Sequence, residues 1–417
     1  MSIKNVDVAI VGAGIGGSAL AITLARGGLS VLLLEKSVEH KDVVRGEWLA
    51  PWGVEEANKL QLTELYMNAG AHRVARHVGY NEFVSADEAE AQTLFLDQAA
   101  PEKPLCLGHP KTCNLLNDAA VSLGVEFARG ISAIEVQPGR PPRLHYQHDG
   151  AAVEVVARWI VGADGRNGVV AKQIGCKFEH DPEHHLFSGM LVEGADDWPE
   201  DLQVIAHEDD VNVLAFPQGD GVVRIYLGWP SADRGRLVGP DGPQRFLDAW
   251  QVNCVPYADT IANAKPVSSC IGYPNYDAWV DHPVREGIVL IGDAAGRNDP
   301  IIGQGLSIAH TDVRMVSEAL LGNQVWSVDM FDEYVAERKE RMSRLRTTAR
   351  LTSLRESAFG EEGKALRYQI HERLHATPDL AAPYAAGFIG PQNLPEEVFT
   401  PEFTAQVVGA PIWDPHP

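Results

Sequence analysis

The chain has 417 residues, of which 45% are hydrophobic, enough for a large core distributed over two or three structural units. Asp and Glu number 57 against 35 Lys and Arg, and the net charge of -22 argues against nucleic acid or an anionic membrane as the main partner. No long apolar segment precedes the first strand, so we expect a cytoplasmic protein with neither signal peptide nor membrane span. The five cysteines are widely spaced, which predicts free thiols and no metal site.

The first predicted unit is a strand, a glycine-rich loop and a helix. The strand at residues 6–11 leads directly into Gly12-Ala13-Gly14-Ile15-Gly16-Gly17. A second strand at residues 30–34 ends in Glu35 and Lys36. This order is typical of a dinucleotide-binding βαβ unit, in which the first glycine permits a tight turn, the second admits a pyrophosphate and the third lets the helix pack closely. Glu35 is expected to accept hydrogen bonds from ribose hydroxyls.

Two basic side chains in the following segment have ambiguous roles. Arg45 follows the second strand closely enough to reach a phosphate or the edge of a flavin, although a solvated arginine explains it equally well. His109 stands just before a predicted helix, where a capping or packing histidine is more common than a catalytic base.

Acidic residues follow two further apolar strands. The strand at residues 153–161 leads into Gly162-Ala163-Asp164-Gly165, and the strand at residues 288–291 leads into Gly292-Asp293. Ligands of open α/β sheets gather outside the carboxyl ends of strands, so Glu35, Asp164 and Asp293 predict one extended ligand. Beyond Asp293, a proline and two glycines precede a helix, where free backbone N–H groups favour negative charge: Pro300, Gly303, Gly305 and Leu306.

The middle of the chain changes character. Alternating apolar segments between residues 178 and 271 predict an antiparallel sheet inserted into the first domain, with Phe216, Tyr226 and Trp229 as candidate pocket residues. Residues 330–356 predict a long charged helix whose arginines are solvated or salt-bridged. The predicted organisation is a discontinuous cofactor-binding domain (1–72, 100–180 and 272–330), a substrate-binding domain (73–99 and 181–271) and a C-terminal helical region (331–417).

With the three glycine-acid motifs in this order, the chain up to residue 340 resembles the FAD-dependent group A aromatic hydroxylases of the para-hydroxybenzoate hydroxylase type. The resemblance implies an α/β fold with a Rossmann-like FAD-binding domain, an inserted antiparallel β-sheet substrate domain and C-terminal helices. It places Glu35 at the ADP portion of FAD, Asp164 near the pyrophosphate and nicotinamide route, and Asp293 at the ribitol. Arg45 resembles the flavin-contacting arginine of that family, and His109 stands where the family often has arginine or glutamine.

The resemblance also implies a reaction. NAD(P)H would reduce FAD, dioxygen would add at flavin C4a, and the hydroperoxide would hydroxylate or epoxidise an electron-rich aromatic or polyketide-like molecule. Pro300 is expected to form the wall beside the reactive face, while the backbone N–H groups of Gly303, Gln304 and Gly305 stabilise anionic reduced flavin. Departures from the family pattern at Gly168, Ala171 and Gly296 affect the expected nicotinamide contacts more than flavin binding, although Lys172 supplies a nearby positive charge.

Several alternatives stay open. A reductase, a dehydrogenase or a halogenase of the same fold would share these motifs, although the chain has no Trp-x-Trp-x-Ile-Pro segment and no evident catalytic lysine; a non-enzymatic flavin-binding protein is least favoured. His207, His109 and Tyr226 are candidate substrate-activating groups. The sequence is compatible with a homodimer and with either NADH or NADPH as the reductant. The residues expected to bind FAD are Gly12, Gly14, Ile15, Gly16, Gly17, Glu35, Lys36, Arg45, His109, Asp164, Gly165, Asp293, Pro300, Gly303, Gly305 and Leu306.

Overall fold

The computed structural model describes residues 2–42 and 47–411 and is built around a mainly parallel sheet, the central sheet. From edge to edge, its strands are Val284–Arg285, Ile288–Leu290, Ala151–Gly162, Ser2–Val11, Val31–Glu35 and Glu126–Arg129. All neighbouring pairs except the first are parallel. Two further strands extend from Ala151–Gly162 as an antiparallel meander, Ser132–Gln137 and Arg143–His148.

Helices cover one face of the central sheet. Helix Ile15–Arg26 packs beside Gly305–Gly322 and His109–Ser122, and their apolar side chains share one core with the sheet. The same helix lies close against the glycine-rich loop at Gly17, since a Cβ there would lie 1.9 Å from the carbonyl oxygen of Gly12. Shorter helices complete this part of the fold: Pro51–Lys59, Thr63–Asn68, Leu96–Ala99 and Val170–Gln173.

A second, mainly antiparallel sheet forms the other half of the molecule. Its strands run in the order Lys265–Pro266, His185–Glu193, Val222–Trp229, Val211–Gly219, Leu202–Glu208, Arg76–Asn81 and Leu94–Phe95. Strands Leu202–Glu208 and Arg76–Asn81 pair in parallel. One face packs against a separate apolar core that includes residues of helices Ala86–Ala91, Gly242–Ala249 and Ala258–Ala262.

The domain boundaries given above stay a prediction. Strand Ile271–Asn275 pairs with His185–Glu193, so the second sheet continues beyond the predicted boundary at residue 272. Two small sheets lie between the larger ones, and their strands are Trp48–Leu49, Leu105–Cys106 and His72–Arg73 in one, and Glu179–His180, Ala278–Trp279 and Gly296–Arg297 in the other. Within the described ranges, no helix is both long and apolar enough to span a bilayer.

The C-terminal region is helical. Helix Asp332–Glu356, the long helix, contacts the loop of residues 299–305 and the shorter segments that follow it. Although this helix is rich in charge, Arg338 and Arg341 are buried and pair with Asp312, so the salt-bridged alternative is correct for them. The other segments are Val328–Phe331, Gly360–Ala376, Pro378–Ala385, Ala386–Ile389, Pro391–Asn393, Glu396–Phe399 and Pro401–Val408.

Candidate active site

The glycine-rich loop leaves open space at a helix N-terminus. Gly12 has a φ of +108°, and a Cβ there would lie 2.3 Å from the Ala163 carbonyl oxygen, so only glycine fits. A Cβ on Gly14 would meet nothing within 4 Å. No side chain caps helix Ile15–Arg26, so its first N–H groups face this space. The geometry suits an anion such as a pyrophosphate.

Other residues of this unit contribute differently. The Ile15 side chain is buried in the central core, so only its backbone faces the loop. Gly16 lies close to helix Gly305–Gly322, since a Cβ there would be 3.6 Å from Ala309. Lys36 is exposed at the end of its strand.

Glu35 supports the loop directly. Its Oε2 accepts a hydrogen bond of 2.9 Å from the Ala13 N–H, and its Oε1 accepts one of 2.8 Å from the Ser37 N–H. Burial alone would raise the pKa of Glu35, but these backbone donors outweigh burial and lower it. The carboxylate therefore holds the loop in shape, a role beyond the predicted contact with ribose, and keeps lone pairs for a hydroxyl donor.

Asp164 caps the turn after its strand. Its Oδ2 accepts hydrogen bonds from the N–H groups of Val169 and Val170, at 2.5 and 3.0 Å. Its Oδ1 is buried with no partner in the described chain, and burial raises the pKa of this carboxyl. A Cβ on Gly168 would lie 2.2 Å from Oδ1, so a larger residue there would displace the carboxylate. Gly165 supplies a turn at φ +73°.

Asp293 lies in the turn Gly292–Ala295, directly after strand Ile288–Leu290. Its side chain is half-buried and makes no hydrogen bond or ion pair with any described residue. Because the strands preceding Glu35, Asp164 and Asp293 are parallel, the three acids lie along the same edge of the central sheet. Asp293 is thus an available acceptor for a hydroxyl at that edge.

The loop of residues 299–305 differs from its prediction in one respect. Gly303 adopts a left-handed conformation with φ +65°, and its N–H donates to the Pro300 carbonyl at 2.9 Å. The predicted role of Gly303 as a donor to a reduced flavin is therefore wrong, because the short helical turn already uses this group. The N–H groups of Gln304 and Gly305 make no hydrogen bond within the described chain, and they begin helix Gly305–Gly322.

The side chain of Gln304 braces this loop. Its Oε1 accepts a hydrogen bond of 2.8 Å from the Trp52 indole, and its Nε2 donates to the Gly387 carbonyl at 3.0 Å. Gln304 is buried and so joins three separate segments of the chain. Leu306 packs its side chain into the central core, leaving only its backbone to face the edge of the sheet.

A cavity lies between the second sheet, the loop of residues 299–305 and the C-terminal helices. Its lining is mainly apolar and aromatic, with Trp48, Phe187, Phe216, Tyr226, Tyr273, Ile302, Gly303, Pro300 and Phe388 among its residues. Phe216 and Tyr226 line it as predicted. The prediction for Trp229 is wrong, because Trp229 lies three positions from Tyr226 and strand alternation turns it into the opposite core.

The family to which the chain belongs is apparent from sequence comparison. The family described as "FAD binding domain" matches residues 5–349, well over half of the chain. The chain belongs to the FAD-binding domain family. FAD is therefore its cofactor, as predicted.

Individual relatives agree with this assignment. Rifampicin monooxygenase from Streptomyces venezuelae is 25% identical over 347 residues, which cover 80% of this chain and 68% of that protein. Menaquinone reductase from Mycobacterium tuberculosis is 24% identical over 353 residues, covering 79% and 81%. The crystal structure of p-nitrophenol 4-monooxygenase PnpA from Pseudomonas putida superposes with a TM-score of 0.76 at 18% identity, covering 91% of this chain and 96% of that one.

These matches confirm the predicted resemblance to group A flavin monooxygenases and the predicted α/β fold. The protein is a flavin-dependent oxidoreductase. The described residues fit FAD on structural grounds, since Gly14 opens onto free space, Asp164 has an unpartnered buried oxygen and Asp293 is an unengaged carboxylate. Arg45 lies outside the described residues, so its predicted flavin contact stays a prediction.

One acid that lines the cavity, Glu47, belongs to a buried ion pair. The guanidinium of Arg224 contacts Glu47 at 2.6 Å and Asp42 at 2.7 Å, and Gln218 also donates to Glu47. Burial raises the pKa of Glu47, although the positive charge of Arg224 opposes this. The contacts with Arg224 and Gln218 therefore fix the position of this acid.

The three candidate substrate-activating groups have different environments. His109 begins helix His109–Ser122 beside Cys113 and does not line the cavity. His207 lies behind the wall, where its Nδ1 contacts Glu356 at 2.9 Å. Tyr226 lines the cavity, but burial raises its pKa well above the ordinary value, so it stays protonated. Of these three candidates, Tyr226 is the one that lines the cavity.

Polar residues that the sequence reasoning did not single out also line the cavity: His77, Gln203, Arg355, Glu356 and Tyr384. His77 lies on strand Arg76–Asn81 and Gln203 on the neighbouring strand Leu202–Glu208, while the other three residues belong to the C-terminal region. None belongs to a recognisable motif.

Proposed function

We propose that the protein is an NAD(P)H-dependent FAD monooxygenase that hydroxylates or epoxidises an electron-rich aromatic or polyketide-like molecule. The observation that carries this proposal is the aromatic cavity, whose wall includes Pro300 and Gly303 of the loop that precedes helix Gly305–Gly322. Overall, the reaction consumes substrate, NAD(P)H, a proton and dioxygen, and yields oxygenated substrate, NAD(P)+ and water. Bound FAD supplies the activation of dioxygen and the transfer of one oxygen atom.

The chain's own contribution is to orient the substrate and exclude water. Phe187 stacks on Tyr226 with ring centroids 5.5 Å apart, and Phe216 meets Tyr226 edge-on at 5.9 Å. Such a rigid aromatic wall favours a flat, apolar substrate. Trp48 packs against Phe216 and Phe388 and lines the cavity beside Gly303. An apolar lining of this kind disfavours water near the reacting atoms.

The loop of residues 299–305 contributes charge stabilisation. The unengaged N–H groups of Gln304 and Gly305 stand at the N-terminus of an 18-residue helix, where its dipole favours a negative charge. Hydrogen-bond donors that are already oriented in this way stabilise an anion without any rearrangement of the protein. Pro300 forms the rigid wall between this helix and the aromatic cavity.

NAD(P)H is proposed to approach a separate, positively charged pocket. This pocket is lined by Gly165, Arg166, Lys172 and Arg297, together with Tyr276 and Ala294 next to Asp293. Its basic side chains suit the phosphates of a dinucleotide. Because it borders the Gly165 and Asp293 turns, the pocket adjoins the edge of the central sheet.

A reductase is the second candidate, favoured by the similarity to menaquinone reductase along 81% of that protein. A halogenase is less well supported, because no described lysine lines the aromatic cavity. The two leading functions differ in one measurable respect. A monooxygenase incorporates an atom of dioxygen into its product, whereas a reductase does not.

The test uses the FAD-loaded protein with NADH or NADPH, isotopically labelled dioxygen and a panel of phenols, naphthols and polyketide aromatics. Substrate-stimulated oxidation of NAD(P)H with one labelled oxygen in the product would support the proposal. A reduced product formed equally well without dioxygen would overturn it and favour the reductase. Mass spectrometry of the product distinguishes these outcomes directly.

A further inference from the structure

A buried histidine lies between two carboxylates behind the loop of residues 299–305. His184 directly precedes strand His185–Glu193, and its Nδ1 lies 2.9 Å from Asp299 Oδ2 while its Nε2 lies 3.8 Å from Asp181 Oδ2. The side chains of His184, Asp181 and Asp299 are 6%, 5% and 0% exposed. None of the three lines the aromatic cavity or the positively charged pocket. Substrate contact therefore does not explain why these charges are buried.

Asp299 connects this group to the loop. Its Oδ1 accepts a hydrogen bond of 3.0 Å from the Ile301 N–H and so caps the short turn Pro300–Ile302. Its Oδ2 also lies 3.4 Å from the Ser353 hydroxyl of the long helix. Ile301 and Tyr273 both line the aromatic cavity, and the charge of Asp299 acts on Tyr273. The carboxylate of Asp299 thus stands directly behind the cavity wall.

His184 and Asp299 form an ion pair. Burial alone would raise the pKa of Asp299 and lower that of His184, but their hydrogen bond reverses both effects. The pKa of Asp299 therefore lies below its ordinary 3.8, and the pKa of His184 lies above its ordinary 6.5. His184 accordingly carries its proton at neutral pH and loses it on the alkaline side. Among the described residues, His184 is the one cation in salt-bridge contact with Asp299.

Other charged groups surround His184 without contacting the Asp299 carboxylate. Burial lowers the pKa of His185 to about 4, so this neighbour stays neutral. Burial raises the pKa of Asp277 to about 7, and its carboxylate accepts from the backbone N–H of Asp299. Loss of the His184 proton therefore leaves Asp299 without a contacting cation. The surrounding groups come from the segment of His184, from the segment before the loop and from the long helix: Asp181, Glu183, His185, Asp277, Arg346 and Arg350.

Reduction of the flavin adds negative charge to the same region. Two electrons and one proton from NAD(P)H convert neutral oxidised flavin into its reduced anion and leave NAD(P)+. Under the proposed function, the N–H groups of Gln304 and Gly305 stabilise this anion. A buried negative charge on Asp299 opposes the anion, because a protein interior screens charges less than water does. The proton of His184 cancels this repulsion.

We propose that His184 is a positioning residue for flavin reduction: its protonated ring holds and neutralises Asp299, so the flavin accepts electrons more readily while this proton is bound. This inference rests on the proposed function, which places the reduced flavin beside Gln304 and Gly305, and it applies to a monooxygenase and a reductase alike. The linkage is reciprocal. Reduction makes His184 hold its proton more tightly, and loss of the proton at alkaline pH lowers the reduction potential.

The reduction potential of the bound flavin tests this proposal. The FAD-loaded protein is reduced with xanthine and xanthine oxidase beside a reference dye, without substrate or NAD(P)H, from about pH 7 to about pH 9.5. His184→Asn keeps an amide donor for Asp299 but cannot carry the proton. At about pH 7 and a fixed solution potential, the ratio of reduced to oxidised flavin should be about tenfold lower in this variant than in wild type. The gap should close to within about threefold at about pH 9.5, where His184 of the wild type is neutral as well.

Two further variants separate charge from structure. Asp299→Asn keeps an oxygen for the Ile301 N–H but removes the charge, so combining it with His184→Asn should restore the wild-type ratio at about pH 7 to within about threefold. His282→Asn replaces an exposed histidine and should follow the wild type at every pH. Far-ultraviolet circular dichroism and flavin content establish folding. If His184→Asn does not fold, Asp299→Asn alone serves, because its potential should fall less steeply than that of the wild type above neutral pH.

A gap between His184→Asn and wild type that stays constant with pH would limit His184 to a structural role and overturn the proposal. Equal potentials at about pH 7, or no rescue in the double variant, would overturn it too. The proposed function fails separately. Converging potentials without labelled oxygen in any product would overturn monooxygenation alone, and labelled product with a constant gap would overturn the role of His184 alone.

Discussion

Arg338 donates through Nε to Asp312 over 3.1 Å, and both side chains are almost completely buried. Asp312 also accepts a hydrogen bond of 2.8 Å from the Gly292 N–H, while Arg338 donates to the carbonyl oxygens of Gly292, Ala295 and Gly296. The long helix is thereby tied to the turn that carries Asp293. The C-terminal region thus supports the cofactor edge of the central sheet.

Arg338→Met should destabilise the protein by about 3 kcal/mol. The substitution removes one hydrogen-bond partner of the buried Asp312 carboxylate, and it also removes the side-chain donor to three backbone carbonyl oxygens. FAD should be retained less well, since the turn at Gly292–Ala295 loses its support. Chemical unfolding and the flavin-to-protein ratio measure the two effects. Lys339→Met removes a neighbouring exposed cation, so it should change the free energy of unfolding by no more than a few tenths of a kcal/mol and leave the flavin-to-protein ratio unchanged. An equal effect of the two substitutions would contradict this role for Arg338.

Much of the cofactor edge could be predicted because its determinants are local. Gly12 and Gly17 are dictated by close backbone approach, and each acid directly follows a buried strand. What could not be predicted was how the acids share their hydrogen bonds. Glu35 and Asp164 both bind backbone N–H groups nearby, which depends on loop conformations that spacing alone does not determine.

The substrate cavity was harder to predict because it depends on contacts between distant segments. Tyr226 and Trp229 were equivalent by residue type, and only the parity of the strand separates the cavity face from the core. His77 and Tyr384 are more than 300 residues apart in the chain and reach the same end of the cavity only through the fold. Similarly, the arginines of the long helix cover several of its faces, so their burial depends on what surrounds the helix.

Asp293→Ala should weaken FAD binding by about ten- to 100-fold, the usual worth of a hydrogen bond to a charged group. Because Asp293 makes no hydrogen bond within the described chain, the apoprotein should keep its wild-type unfolding midpoint. Fluorescence titration of apoprotein with FAD gives the affinity. Asp281→Ala, which removes an exposed acid, should leave it unchanged. Stoichiometric flavin at wild-type affinity in Asp293→Ala would contradict the proposed contact.

Gln304→Leu should slow turnover without removing the cofactor. The substitution leaves the Trp52 indole and the Gly387 carbonyl unpaired, which costs about 1–3 kcal/mol of stability, and it releases the loop that positions Pro300. A shift of about 1 Å in such a loop can lower turnover by about 100-fold. Stopped-flow and steady-state rates with the best substrate, measured at full FAD loading, test this. Unchanged turnover in a destabilised variant would limit Gln304 to a structural role.

Asp277 makes stability depend on pH. It is fully buried, and burial together with the negative charge of Asp299 raises its pKa from 3.8 to about 7. Between these values the folded protein keeps a proton that the unfolded chain has released, so this carboxyl makes the free energy of unfolding fall as pH rises from about 4 to 7, with no further change above. Asp277→Asn cannot ionise and keeps an oxygen to accept from Asn298 and the Asp299 N–H.

The variant should therefore lose less stability than wild type between pH 5 and pH 8, and it should be the more stable protein at pH 8. Thermal or urea unfolding across this range measures both slopes, and the difference between them isolates Asp277 from other titrating groups nearby, such as His184 and Asp181. Asp281→Asn replaces an exposed acid and should follow the wild-type slope. Parallel curves for Asp277→Asn and wild type would mean that Asp277 is already ionised at pH 5, because only a proton held by the folded state and lost by the unfolded chain can separate them.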